Sequence, residues 1–418
     1  MSAFARDGAR LLCDGVSLEA LADRFGTPLY VYSARELREA FLGYDRAFAA
    51  VPHRICYAVK ANGCGPVLRL FAGLGAGADI VSGGELKAAL RGGFPPERIV
   101  FSGVGKSEAE LREGLAAGIG EFNAESEDEI ARLSAIATAL GRRACITLRV
   151  NPDIDPRSHP YISTGLRENK FGVAIGHAPE ILRRARALPG IEVVGVQSHI
   201  GSQITDVRPL GAAARALAEL SRRLIAEGFA LESIDFGGGL GIDYEAGSAT
   251  PDPAALAAEV LPALDGLPLM LLLEPGRSLV ARAGVLLTRV LYIKENGAKR
   301  FVIVDAGMND LMRPSLYQAF HRIEPVVSRG LETTKVDVVG PVCETGDFFA
   351  RDRELECVEA GALLAVRDAG AYGAVMASNY NMRMRPAEVM VDGGEARLVR
   401  RRETFEDLVA TEVDASAV

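Results

Sequence analysis

Between residues 53 and 282, short apolar runs rich in β-branched residues alternate with segments whose apolar positions recur every three or four residues. The short runs predict eight strands: Ile55 to Lys60, Ala78 to Ser82, Arg98 to Ser102, Glu121 to Ala124, Ala144 to Asn151, Val193 to His199, Ser233 to Gly237 and Leu269 to Glu274. "GGELKAALRGG" at 83–93, "SEAELREGLAAGI" at 107–119, "SEDEIARLSAIATALG" at 126–141 and "LGAAARALAELSRRLIAEG" at 210–228 predict helices between them. Ser107 with Glu110, and Ser126 with Glu129, have the spacing of capping boxes. Eight βα units predict a TIM (β/α)8 barrel, since an open doubly wound sheet would use fewer strands. In a barrel the loops after the strands share one face, and Lys60, Ser82, Asn151, His199, the glycines from 237 and Glu274 all fall on it.

After residue 282 the period changes. "VLLTRVLYIKE", "KRFVIVDAG", "KVDVVG", "ALLAVRDAGAYG" and "AEVMVDGGEARLVRR" alternate apolar and polar residues between Gly or Asp turns, which predicts an all-β C-terminal domain. The first 35 residues fall outside the barrel repeat, and "TPLYVYS" at 27–33 is expected to add a strand to the β domain. The expected division is therefore 1–35, 36–282 and 283–418.

Composition narrows the function. The 418 residues are 49% hydrophobic and 24% charged, the balance of a folded chain too long for one ordinary core. A net charge of −8 offers no basic field for nucleic acid, and the run "RRRE" at 400–403 is local. "LPLMLLL" at 267–273 is the densest apolar stretch, far short of the ~18 residues a membrane span needs. Arg6, Asp7, Arg10, Asp14 and Glu19 interrupt the first 30 residues, so no signal-peptide core is present and a cytoplasmic location is expected. The six cysteines and five histidines show no metal-binding spacing, so no metal is expected.

Four segments could carry chemistry. Lys60 closes the run "CYAVKAN"; a strand-end lysine commonly lays its methylenes on apolar surface, and a partly desolvated one can act as an amine nucleophile. "DFGGGLG", Asp235 to Gly241, is either a tight βα turn or a backbone cradle for a phosphate. In "LLLEPGRSLVA" at 271–281 a carboxylate and a guanidinium lie three residues apart. They could form an ion pair, or Glu274 could face a protonated ring nitrogen while Arg277 faces a carboxylate. His199 in "SHIGSQ" is a structural residue or a flat partner for a cofactor, and Cys343 beside Glu344 in "PVCETGDFF" is inert or reactive. Together a strand-end lysine, a phosphate cradle, a carboxylate and a stacking imidazole are the parts that hold pyridoxal phosphate in a barrel mouth.

The motifs "YAVKAN", "GADIVSGGEL", "HPYISTGLRENKFGV", "HIGSQ", "FGGGLGI", "EPGR", "MNDLMRPSLY", "GPVCETGD", "GAYG" and "NYNMRMRPAEVMVDG" stand in one order along the chain. This order resembles that of the fold-type III pyridoxal-phosphate decarboxylases, and among them it is most similar to the diaminopimelate decarboxylases. The resemblance implies a pyridoxal 5'-phosphate cofactor linked to Lys60, with His199, Ser202, Gly238, Gly239, Glu274, Pro275, Gly276, Arg277 and Tyr372 around it. It further implies that Arg277, Arg313, Tyr317, Glu344 and Tyr372 contact an amino-acid substrate. Lys60, His199 and Cys343 would be the catalytic residues, with Cys343 the proton donor reaching the site of a neighbouring copy, hence a homodimer. The reaction implied is decarboxylation of meso-2,6-diaminopimelate to L-lysine. A related decarboxylase acting on ornithine, lysine or carboxynorspermidine is the nearest rival reading, and a silent cofactor-binding regulator is another. The chain departs from the usual pattern at Gly63, Cys64 and Gly65 after the lysine, and at Met382 and Met384.

Overall fold

The computed structural model describes residues 2–155, 170–245, 247 and 250–413. They form two compact units, one comprising Arg38–Asp243 and Ser248–Leu279, the other Met1–Leu37, Tyr244–Gly247 and Val280–Val418.

The first unit is a barrel. Its strands are β1 (His53–Ala58), β2 (Gly77–Ile80), β3 (Ile99–Phe101), β4 (Glu121–Ala124), β5 (Ala144–Asn151), β6 (Ile191–Gln197), β7 (Ser233–Asp235) and β8 (Met270–Leu273). All eight overlap the runs read from the sequence, with ends shifted by up to two residues at six of them. Each pairs in parallel with the next, and Leu271 of β8 lies opposite His53 of β1, which closes the ring. Strands covered on both faces are mostly apolar; β2, β3 and β7 are buried throughout, and the polar residues in them, Asp79, Ser233 and Asp235, are buried with them.

Helices Gly83–Gly92, Glu108–Ala117, Glu127–Ala139 and Arg208–Ala226 fill the predicted segments. The capping box at Ser107 is complete. At Ser126 only half of it forms: the hydroxyl accepts from Glu129 N–H, but the Glu129 carboxylate turns away to Lys106 Nζ and Glu125 N–H. A buried ammonium is the stronger partner, because a charge out of water requires an opposite one.

One boundary differs from the sequence reading where it matters. β1 ends at Ala58, and Lys60 stands in a single 3₁₀ turn, Val59–Ala61, whose next residue Asn62 donates its N–H to Val59 O. Leaving the strand frees the lysine from the pleat, so its side chain is not committed to one face of the sheet.

In the second unit the strand Leu29–Ser33 pairs antiparallel with Gly284–Asn296 and parallel with Ala387–Asp392. It is buried along its length. Its alternation serves two cores: Leu29 and Val31 join one apolar cluster, Tyr30 and Tyr32 the other. Among the described residues after 282, the only α-helices are Arg313–Tyr317 and Phe405–Val409. The basic run at 400–403 is spent locally: Arg400 pairs with Glu388, Arg401 with Asp407, and Arg402 donates to Pro28 O at 2.6 Å.

Candidate active site

At the C-terminal ends of the barrel strands a set of polar groups converges that no single motif reveals. Lys60 Nζ donates to Asp79 Oδ2 at 2.8 Å. The Asp79 side chain has no solvent exposure, whereas that of Lys60 is 34% exposed. The second Asp79 oxygen, Oδ1, is buried and accepts no hydrogen bond. The lysine is thus neither a surface snorkel nor a buried charge, but a partly exposed amine oriented by a buried carboxylate.

Glu274 follows β8 and is buried. The ion pair with Arg277 that the sequence allowed does not form. The Glu274 carboxylate instead accepts from Ser102 Oγ at 3.4 Å, Asn123 Nδ2 at 3.1 Å and Gln197 Nε2 at 3.2 Å. Asp235, buried at the end of β7, accepts from Gly237 N–H at 2.7 Å, and its Oδ2 accepts no hydrogen bond. Burial first, and then the neighbouring carboxylates, push both groups above the ordinary carboxylate range. Neutral donors orient the Glu274 carboxyl without spending its charge on a cation, which suits it to meet a cationic ring.

His199 stands after β6. Gly238 N–H donates to its Nδ1 at 3.2 Å, so the neutral ring carries its proton on Nε2. Burial, then the charges of Arg149 and Lys60, hold its pKa well below the usual histidine value, and the ring stays neutral. The neighbouring glycines are needed for close approach. A Cβ on Gly238 would lie 2.2 Å from Glu274 O, and one on Gly239, where φ is +112°, 2.5 Å from Gly201 O. Those contacts bring the ends of β6, β7 and β8 against one another. Pro275 and Gly276 are buried in the same turn, where Pro275 O accepts Ala58 N–H at 3.2 Å. Arg277, also buried, reaches Ser202 Oγ at 3.1 Å.

The residues sequence reasoning missed are Asp79, Ser102, Asn123, Gln197 and Asp235. Asp79 and Asp235 lie inside quoted motifs, yet nothing in a linear motif says that a carboxylate from β2 meets Lys60 or that one from β7 meets Glu274. A period-two count inward from each strand end was the available signal.

The remaining candidates belong to the second unit. Arg313 opens the short helix Arg313–Tyr317 and is buried; its Nη1 lies 2.7 Å from His321 Nε2. Tyr317 ends that helix half-buried. Ser315 Oγ donates to Gly346 O at 2.6 Å and ties the helix to the loop carrying Cys343 and Glu344. Both of those residues are exposed; Cys343 N–H donates to Asn381 Oδ1 at 3.1 Å and Glu344 accepts from Tyr380 Oη. Tyr372 is half-buried at φ +54°. Met382 is exposed, also at positive φ. Of "HPYISTGLRENKFGV", His159 to Asn169 lie outside the described residues.

Residues 34–281 match the family model for the pyridoxal-dependent decarboxylase, pyridoxal binding domain. The diaminopimelate decarboxylase of Neisseria meningitidis serogroup A is 52% identical over 403 residues, covering 96% of this chain and 99% of that protein. The chain belongs to the diaminopimelate decarboxylase family. Two solved members of the family agree in fold. The Helicobacter pylori enzyme complexed with L-lysine superposes with a TM-score of 0.91 at 46% identity, over 94% of this chain and 98% of that one. The enzyme from M. jannaschii in co-complex with L-lysine gives a TM-score of 0.95 at 39% identity, over the whole of both chains.

The residues of this chain fit the cofactor the family implies. A partly exposed rim amine, a buried carboxyl held by neutral donors, a neutral imidazole beside a glycine turn and a buried guanidinium stand together. Among the described residues no group of His, Cys, Asp and Glu could hold a metal ion, and no helix is long and apolar enough to cross a membrane.

Proposed function

We propose that this decarboxylase acts on meso-2,6-diaminopimelate and releases L-lysine and carbon dioxide in the cytoplasm, as the last step of lysine synthesis. Pyridoxal phosphate, when bound, supplies an electron sink for the pair left behind when the carboxylate departs. Lys60 is the amine that would anchor it. Glu274, held by Asn123, Gln197 and Ser102, would keep its ring nitrogen protonated, and the neutral His199 would stand beside it. Arg277, Ser202 and the Gly238–Gly239 and Pro275–Gly276 backbones hold the charged and polar substituents.

The far end of the substrate carries an amine and a carboxylate. Arg313 is assigned to that carboxylate and Glu344 to the amine, with Tyr317 and Tyr372 beside them. Cys343, from a second copy of the chain in a homodimer, delivers the proton that replaces the lost carboxylate at the reacting carbon. Its exposure, with its backbone N–H held by Asn381 Oδ1, suits a thiol used by a neighbour.

The observation that carries the reading is the Lys60–Asp79 pair together with the buried Glu274 held by Asn123 and Gln197, in a chain 52% identical to a diaminopimelate decarboxylase. Assaying meso-diaminopimelate beside ornithine, lysine and carboxynorspermidine tests it. Carbon dioxide is expected from the first alone; preferential turnover of any other would replace the substrate assignment.

A further inference from the structure

The substrate-recognising arginine sits in a rigid frame of its own. His321 has no solvent exposure, and Arg313 and Tyr244 are 5% and 8% exposed. The Arg313 guanidinium lies 4.6 Å from the centre of the Tyr244 ring, and the Tyr244 and His321 rings meet edge-on at 5.3 Å and 73°. Arg313 Nη1 lies 2.7 Å from His321 Nε2, and His321 Nδ1 lies 2.8 Å from Arg367 O.

Valence fixes the direction of these bonds. A guanidinium only donates, so Nε2 accepts and the imidazole proton is on Nδ1, donated to Arg367 O. The histidine backbone is fixed as well, because Arg353 Nη1 donates to His321 O at 2.7 Å. The chain of contacts thus runs from a strand-end carbonyl through an imidazole to one edge of the guanidinium, while an aromatic face sets its plane.

We propose that His321 and Tyr244 are positioning residues that set the orientation of Arg313 and thereby its selectivity for an amino acid whose far end bears a carboxylate. This rests on the assignment of Arg313 made above. A planar fork recognises a carboxylate through two parallel bonds, and small rotations forfeit one of them. Two partners without net charge fix the plane and still leave the guanidinium its positive charge.

Single substitutions separate the parts. His321→Asn can keep the donation to Arg367 O and loses the acceptor at Nε2, whereas His321→Gln offers an acceptor near Nε2. For His321→Asn the Michaelis constant for meso-diaminopimelate and the inhibition constant of L-lysine should rise together by about tenfold or more, with kcat changed less than about threefold. Weak inhibition by cadaverine, which lacks the carboxylate, and pyridoxal phosphate affinity should stay as in the wild type. His321→Gln should recover most of the loss, and His321→Asn should add nothing in an Arg313→Ala background.

Constants within about twofold of wild type in His321→Asn, beside a large rise in Arg313→Ala, would overturn the positioning role alone. No rise in Arg313→Ala would remove the recognition reading beneath it. If the histidine variants do not fold, Tyr244→Leu against Tyr244→Phe gives the same comparison: Leu should raise both constants and Phe should not, and equal constants overturn the proposal.

Discussion

Lys60 Nζ donates to Asp79 Oδ2 at 2.8 Å across a steep change of environment, the amine 34% exposed and the carboxylate not at all. Removing one partner of such a pair leaves a charge where water cannot reach it. The cofactor-free Lys60→Ala protein should therefore be less stable than the wild type by about 1–3 kcal/mol, below the ~3–5 kcal/mol of a fully buried pair because the lysine is partly solvated. The double variant Lys60→Ala with Asp79→Asn should regain most of the difference. Denaturant titration measures both, and equal stabilities of the single and double variants would mean that Asp79 and Lys60 do not stabilise the fold as a pair.

Glu274 has neutral donors around it, and in the proposed function its role is the charge state it would impose on a ring nitrogen. Glu274→Gln keeps the shape and loses that control. We expect kcat to fall by about a hundredfold or more, a loss of electrostatic support in a dry site, with Arg313-dependent substrate affinity little changed. Steady-state kinetics at saturating pyridoxal phosphate checks this; kcat within about threefold would mean that the ring nitrogen is served by another group.

Gly238 is the tightest of the three consecutive glycines, its missing Cβ facing Glu274 O at 2.2 Å. Gly238→Ala must push the end of β8 away, which costs about 1–3 kcal/mol in a packed interior and displaces Glu274. Cofactor affinity should drop by about tenfold or more in a titration followed by absorbance. Gly241→Ala, where the nearest atoms are 3.1 Å away, should cost less, and the reverse order would contradict the close-approach account.

Asp310 supplies a pH test outside the barrel. Its carboxyl accepts from Gly307 N–H and Asn309 Nδ2, both at 2.9 Å, yet burial raises its pKa to about 7. Between the ordinary aspartate value and about 7 the folded state holds a proton that the unfolded chain has lost, so this group's contribution to stability falls as pH rises through that window. The melting temperature of the cofactor-free protein should decline less steeply from pH 4 to pH 7 in Asp310→Asn than in the wild type, within the ~4 kcal/mol that three pKa units could contribute. Parallel slopes would mean that Asp310 is ionised throughout.

Much of the fold was legible because strands covered on both faces are mostly apolar and their helices must carry a 3.6-residue stripe. Lys60, His199 and Glu274 were legible as polar residues at the ends of such runs. The partners were not. Asp79 meets Lys60 from the neighbouring strand, and Asn123 reaches Glu274 across 151 positions of sequence, a meeting that exists only because β8 pairs with β1 and the ring closes. The same closure explains why Glu274 ignores Arg277, three residues away: neutral donors from β4 and β6 already occupy the carboxylate. His321 was visible only as a histidine without metal spacing, since its contact with Arg313 depends on tertiary packing.

The account turns on Lys60 as the covalent anchor, and reduction tests that most directly. Protein loaded with pyridoxal phosphate, treated with borohydride and digested should carry the reduced cofactor's mass on the peptide containing Lys60. The same treatment should leave Lys60→Ala unlabelled and unable to release carbon dioxide from meso-diaminopimelate. A label on a different lysine, or decarboxylation retained in Lys60→Ala, would contradict it.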